Sequence, residues 1–430
     1  MHQAAIPVCM QCFVVRALLC TALFSGCTLV PHLHGDRAFI DYWPSQKTGQ
    51  LTLAIKDNID MQGVVTTAGS RFLLRHAPPA KKDAACLAIA RQRKVPIVGK
   101  TTLSEFAVAP SGFNEYFGTP KNPLSRGWPR RVPGGSSSGS AVAVADGEAE
   151  VAFGTDTAGS VRVPAACCGI VGLKTTRHLI SLKGVYPIDP IDLDTIGPMA
   201  KDVERTAKGM DLLENGFMAQ YAAAQAAKPR AQGIRVGRLY LKGTDAKIDE
   251  AVDQALTRTG FQIVRLSDSF RDQWEQAKKD GNTIAAVGIW QSYQEYGSTV
   301  GISMRTKDGM LLGRSYYGER YRDALARKAG WQSALRETLQ QVDFIALPTL
   351  QTTPPRMTID LRVGLIDTRM LGLQNTVPVN LAGNPALALP VPLENAGFPV
   401  TSLELIGRAR SEAALLNAGR LVEAALKRSN

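Results

Sequence analysis

Apolar residues fall along the chain in short runs of strand length, separated by segments of helical period and by polar turns. Residues 51–56, LTLAIK, are an apolar run ending in lysine and predict a strand. After a loop, Ala84, Leu87, Ala88 and Arg91 recur at helical spacing and predict a helix over 81–93, followed by a buried strand at 95–99. This order argues for a sheet covered by helices.

Farther along, Asp202 can cap a helix over 202–214 that stops before Gly216. Residues 218–232, rich in alanine and glutamine, suit a surface helix or a linker. A second α/β stretch has a strand at 234–240, a helix from Lys247 and a strand at 261–266. One long helical region, 316–341, leads into a strand at 342–349, and the tail supplies a strand at 400–406 and a helix at 411–427. At the centre stands GGSSSGSAVAVADGEAEVAFGTDTAGSVRVPAACCGIVG, residues 134–172, where two serine-bearing turns bracket a helix of small residues and a short apolar strand.

With 430 residues and 45% hydrophobic content the chain can bury a large core. The formal net charge is +12, but the basic residues are scattered among acids apart from small clusters such as Arg126, Arg130 and Arg131, so nucleic-acid binding is not expected. No repeat, low-complexity segment or membrane-spanning run follows the first thirty residues.

Those first residues differ in kind. Arg16 precedes the apolar run ALLCTALFSGC, too short to span a bilayer and long enough for a secretory signal. Ser25 and Gly26 before Cys27 resemble a bacterial lipoprotein cleavage box, with Phe24 in the usual place of leucine. The resemblance implies a signal over 1–27, a lipid on Cys27, a tether over 28–50 broken by Pro31, Gly35 and Pro44, and a site in the cell envelope. An uncleaved leader would leave the protein in the cytoplasm. Cys86, Cys167 and Cys168 remain, without metal-ligand spacing, and are expected as free, buried thiols.

Two familiar motifs fail on inspection. GKTT at Gly99 resembles the end of a phosphate loop, but Lys94 stands where the first glycine belongs. Gly135, Ser137 and Gly139 satisfy GxSxG, yet SRGWPRRVP precedes them instead of a strand, and His76 and His178 are the only histidines beyond the leader and tether. What remains is a serine activated by lysine. Lys56 closes an apolar strand and is therefore desolvated, which favours its neutral form, a shift worth about 4 kcal/mol near neutral pH. Ser136 can carry a proton between Lys56 and Ser160, and the amides of Thr157, Ala158, Gly159 and Ser160 can form an oxyanion hole.

AIKDNID, GKTTLSEFA, PGGSSSGSAVAVA, FGTDTAGSVRVPAACCGIVGLK and DTIGPMAKDV stand in the order and spacing of the amidase signature family, which the chain closely resembles. RDALARKAGWQ with VDFIALPT, and NLAGNPALALPVP with FPVTSLELIG, extend the likeness to 51–426. The resemblance implies one large α/β domain, 51–430, around a mixed, twisted sheet with helices on both faces, and no metal or organic cofactor. It places the catalytic lysine on Lys56, the bridging serine on Ser136 after a cis bond from Gly135, and the nucleophile on Ser160. The implied reaction is hydrolysis of a small-molecule amide through an acyl-enzyme. Arg162 is a candidate for a substrate carboxylate, although a structural ion pair is favoured, and Asp156 and Asp194 look like scaffold residues. Ala158 replaces a more usual glycine, and Thr175, Thr176 and Arg177 replace a proline-containing sequence. Pocket walls are expected near 113–116, 188–194 and 290–321. The alternatives are the glutaminase subunit of a tRNA-dependent amidotransferase, an allophanate-hydrolase-like enzyme suggested by DTAGS, and a catalytically silent binding lipoprotein.

Overall fold

Successive residues of the central strands enter two different hydrophobic clusters, and this alternation organises the molecule. Leu53 and Ile55 join one cluster and Ala54 the other; Val151 and Phe153 are likewise separated from Ala152, and Leu387 and Leu389 from Ala388. A strand of period two that is apolar on both faces must be covered on both. The computed structural model describes residues 36–45, 49–357, 363–394 and 396–428, so the leader, Cys27 and residues 28–35 lie outside the described residues.

Eleven strands form one sheet: β1 (Phe39–Tyr42), β2 (Leu53–Lys56), β3 (Ile97–Thr101), β4 (Val151–Asp156), β5 (Val171–Lys174), β6 (Thr195–Ala200), β7 (Arg235–Arg238), β8 (Gln262–Arg265), β9 (Phe344–Pro348), β10 (Ala386–Pro392) and β11 (Val400–Ile406). Their order is β1-β3-β2-β4-β6-β5-β10-β11-β9-β7-β8. β2 runs parallel to β3 and β4, and β7 runs parallel to β8 and β9, while the remaining pairs are antiparallel. The result is a single α/β domain on a large mixed sheet, as the sequence leads one to expect.

The two faces are unequal. Ala54, Ala152 and Ala388 present small side chains to helices Ser138–Asp146 and Arg162–Cys168, which supply Ala141, Ala143, Ala165 and Ala166 to the same cluster. Small residues on both sides let backbones approach: a Cβ on Gly139 would lie 2.2 Å from the Ala38 carbonyl oxygen, and one on Gly154 would lie 2.8 Å from Ser137 Oγ. The serine-bearing turns are thereby pressed onto the ends of the strands.

Several expectations need correction. Residues 39–42, assigned to a tether, pair with β3 as the edge strand β1; Phe39 and Ile40 are both buried, so no alternation marks them. The helix expected over 81–93 is a 3-10 turn, Ala85–Leu87, followed by a short helix, Ala88–Gln92. The helical region expected over 316–341 is the helix Glu319–Gln341, starting after Gly318, whose φ of 133° no continuing helix can adopt; a separate helix, Met304–Tyr316, ends just before it. Helix Asp268–Tyr293, 26 residues long, was not anticipated because its first half is strongly charged. Asp202 caps helix Val203–Asp211 through the Arg205 amide as expected, and β11 matches its expected span.

Candidate active site

Because β2 and β4 are parallel neighbours, Ile55 opposite Phe153, their carboxyl ends finish side by side and bring Lys56 beside Thr155. Ligand sites in open α/β sheets form at such carboxyl ends. Lys56 is fully buried. Its Nζ lies 2.7 Å from Ser136 Oγ and 2.8 Å from Thr155 Oγ1. Burial lowers the Lys56 ammonium from 10.5 to about 7, against the carboxylates of Asp156 and Asp194, which pull it upward. A lysine of this kind holds a substantial neutral fraction at physiological pH and is able to accept a proton.

Ser136 stands one residue before the N-cap Ser137 of helix Ser138–Asp146, and the Gly135–Ser136 peptide bond is cis. The preceding loop braces this turn, since the Gly135 amide donates to the Pro110 carbonyl at 2.8 Å. The Ser137 amide donates to the Ser160 carbonyl at 3.3 Å, tying the two serine turns together. Lys56 and Ser136 are sealed from solvent, whereas Ser160 is partly exposed.

The Ser160 turn is built around Asp156. Its carboxylate accepts from the amides of Gly159 at 2.9 Å and Val161 at 3.0 Å, and from the Nε and Nη2 of Arg162. Burial alone would raise the Asp156 carboxyl; the Arg162 guanidinium and these hydrogen bonds reverse that and hold it well below the usual range. Gly159 has φ 128°, and a Cβ there would lie 2.1 Å from Thr376 Oγ1, so only glycine fits this turn.

One expected role changes, and of the two readings of Arg162 the favoured ion pair stands. The Gly159 amide, expected among the oxyanion donors, is committed to Asp156, which leaves the amides of Thr157, Ala158 and Ser160. Arg162 is fully buried and has every N–H engaged, by Asp156, the Thr376 carbonyl, Glu404 and Asn380, so it has no donor left for a substrate carboxylate. Asp194 orders the neighbouring wall: it accepts from Thr157 Oγ1 at 2.6 Å and from the amides of Ile188 and Asp189.

Sequence reasoning missed Thr155 and Asn58. Thr155 Oγ1 accepts from Lys56 and, at 3.1 Å, from Asn58 Nδ2, so the two give the lysine a second anchor besides Ser136. The available signal was a hydroxyl at the end of a strand parallel to that of the lysine. Asn58, Thr155, Thr157, Ile188 and Asp194 line one small cavity, which brings the 188–194 segment to the site. Lys100, from the rejected phosphate-loop motif, is buried in an ion pair with Asp57 at 2.9 Å and donates to the Ile59 carbonyl.

A mixed α/β sheet with a depressed lysine and two serine turns at its strand ends is the arrangement expected of the amidase signature family. Comparison with known proteins agrees: residues 50–416 match the Amidase family model, and the chain belongs to that family. It is 33% identical over 414 residues to a glutamyl-tRNA(Gln) amidotransferase subunit of Natronomonas pharaonis, covering 86% of this chain and 94% of that protein. It is also 33% identical to the 2-amino-5-chloromuconic acid deaminase of Comamonas testosteroni, over 87% of this chain and 81% of the relative. The crystal structure of the corresponding glutamyl-tRNA(Gln) amidotransferase subunit from Thermotoga maritima superposes with a TM-score of 0.72 at 26% identity, covering 90% of this chain and 86% of that one.

Proposed function

We propose that the protein hydrolyses a carboxamide through an acyl-enzyme on Ser160, with Ser136 relaying protons to Lys56. The observation that carries this reading is the 2.7 Å contact between Ser136 Oγ and the Nζ of a lysine brought to about 7 by burial. Neutral Lys56 takes the Ser136 proton, Ser136 takes that of Ser160, and Ser160 Oγ attacks the carbonyl carbon. The amides of Thr157, Ala158 and Ser160 face the developing oxyanion, where one donor is worth about 10² to 10³ in rate. Collapse expels the amine with the proton returned through Ser136. Water then adds by the same route and releases a carboxylic acid and free Ser160.

Labelling with a fluorophosphonate probe at about pH 8, where more of the base is neutral, tests this directly. Label that disappears in Ser160→Ala and falls sharply in Lys56→Ala is the expected result. A folded wild type that takes no label would overturn it and favour a silent binding protein.

A second reading is the glutaminase subunit of a tRNA-dependent amidotransferase, favoured by the near full-length likeness to the amidotransferase subunit of Natronomonas pharaonis. Release of ammonia from glutamine, but not from simple amides, and only with partner subunits present, would select it. We further infer that residues 1–27 are a lipoprotein-type signal and that the protein is anchored in the envelope through Cys27. Mass spectrometry of the mature N-terminus checks this: a chain beginning at acylated Cys27 supports it and an intact Met1 sinks it. Export also argues against work on charged tRNA, which is cytoplasmic.

A further inference from the structure

One cationic cluster has no part in the site. The loop from Lys121 to Arg131 carries Arg126, Arg130 and Arg131 around Trp128, which is 69% exposed at its tip. Arg131 stands opposite Arg356 in an antiparallel bridge. Like charges placed opposite one another are destabilising; after burial, the charge of Arg356 is what lowers the Arg131 guanidinium further. The two are held by neutral oxygens, Arg131 by Thr353 Oγ1 and the Pro354 carbonyl, and Arg356 by the Pro129 carbonyl at 2.8 Å. Among the described residues no carboxylate pairs with Arg126, Arg130, Arg131 or Arg356. The described residues therefore gather four positive charges on and beside a loop that bears an exposed indole, with no described carboxylate paired to them.

The position of the loop narrows the partner. Its first residue, Lys121, donates its amide to the carbonyl of Asp36, where the chain enters the described structure. The apolar run ALLCTALFSGC stands shortly before Asp36 in sequence. We propose that the loop is a docking surface for an anionic lipid bilayer, with Trp128 seated at the headgroup level and Arg126, Arg130, Arg131 and Arg356 facing acidic headgroups. Tryptophan favours that interface because its ring is apolar and its N–H polar. Arginines within a Debye length of an anionic leaflet add to the attraction. This surface is separate from a lipid on Cys27, since an acyl chain enters neutral and anionic vesicles alike.

Sedimentation of the full chain with vesicles of phosphatidylcholine, with and without phosphatidylglycerol, tests the proposal. Wild type is expected to prefer the anionic vesicles, with a blue shift in tryptophan emission. Each basic residue near such a surface is worth about fivefold in binding, so Arg126→Gln with Arg130→Gln should lower partitioning about twenty-five-fold. Trp128→Ser should remove the blue shift. Unchanged fluorophosphonate labelling in these variants establishes that they fold. Equal binding to both vesicle types, variants that partition like wild type, or variants that lose affinity only for a nucleic acid would each overturn the assignment.

Discussion

Thr155 Oγ1 lies 2.8 Å from Lys56 Nζ, nearly as close as Ser136 Oγ, and it is in turn held by Asn58 Nδ2. The lysine is thus held by two hydroxyls, one at the end of strand β4 and one in the turn before helix Ser138–Asp146. The first is fixed by Asn58, and the second belongs to the turn whose Ser137 amide is tied to the Ser160 carbonyl.

This grip predicts how Thr155→Val behaves. The methyl keeps the volume and removes an acceptor that stabilises the ammonium, so the lysine falls further and the acidic limb of kcat/KM moves to lower pH. Loss of orientation lowers kcat by about 10- to 100-fold with KM nearly unchanged. A pH profile with both constants resolved checks this; a change in KM alone would mean that Thr155 binds substrate instead.

In the wild type, activity should follow the neutral form of Lys56. With burial holding it at about 7, kcat/KM falls as pH drops below 7 and levels off above it. The same shift acts on stability. The unfolded lysine binds its proton up to about 10.5 while the folded one releases it near 7, so Lys56 penalises folding fully below 7, and stability rises with pH across that window. Lys56→Met should therefore abolish labelling yet stabilise the protein at neutral pH by about 1–3 kcal/mol, read as a higher Tm.

Arg162→Ala should fail as a fold, not as a binder. It leaves Asp156 and Glu404 buried without their cation, at a cost of about 3–5 kcal/mol. Arg162→Lys should rescue little, because one ammonium cannot reach the four groups that the planar fork joins. Thermal melts decide the matter: a normal Tm with a raised KM would restore the substrate-binding role.

The three cysteines of the described fold should be silent. Cys86, Cys167 and Cys168 are free and buried; burial pushes the Cys86 thiol up to about 12 and raises the other two as well. Iodoacetamide should leave the native enzyme unlabelled and active, and modify these thiols only in denaturant. Rapid inactivation of folded protein would show an opening that exposes helix Arg162–Cys168.

Local pattern carried the strands β2, β9 and β11 and the helix Glu412–Lys427, because each is an apolar run or a helical repeat within its own span. The meeting of Lys56 with Ser136 was also legible, since a lysine closing an apolar strand and a serine-rich turn both stand out locally. Thr155 was not, because its role depends on β4 lying parallel to β2, a fact of pairing that no local window contains. The Gly159 amide was missed for a different, local reason: Asp156, three residues earlier in the same turn, accepts from it. The partners of Arg162 come from Thr376, Asn380 and Glu404, more than two hundred positions away.

The pairing of β2 with β4 also has a kinetic consequence. Lys56 and Ser136 are 80 residues apart in sequence and meet only at the finished carboxyl edge of the sheet. No fragment ending before β4 can hold the lysine against Thr155, so the base cannot be depressed until the long-range strands have closed. A nascent or half-folded chain therefore carries an ordinary, protonated lysine. On the proposed mechanism the nucleophile would be switched on only by completion of the fold itself, which would keep a reactive hydroxyl harmless until its surroundings exist.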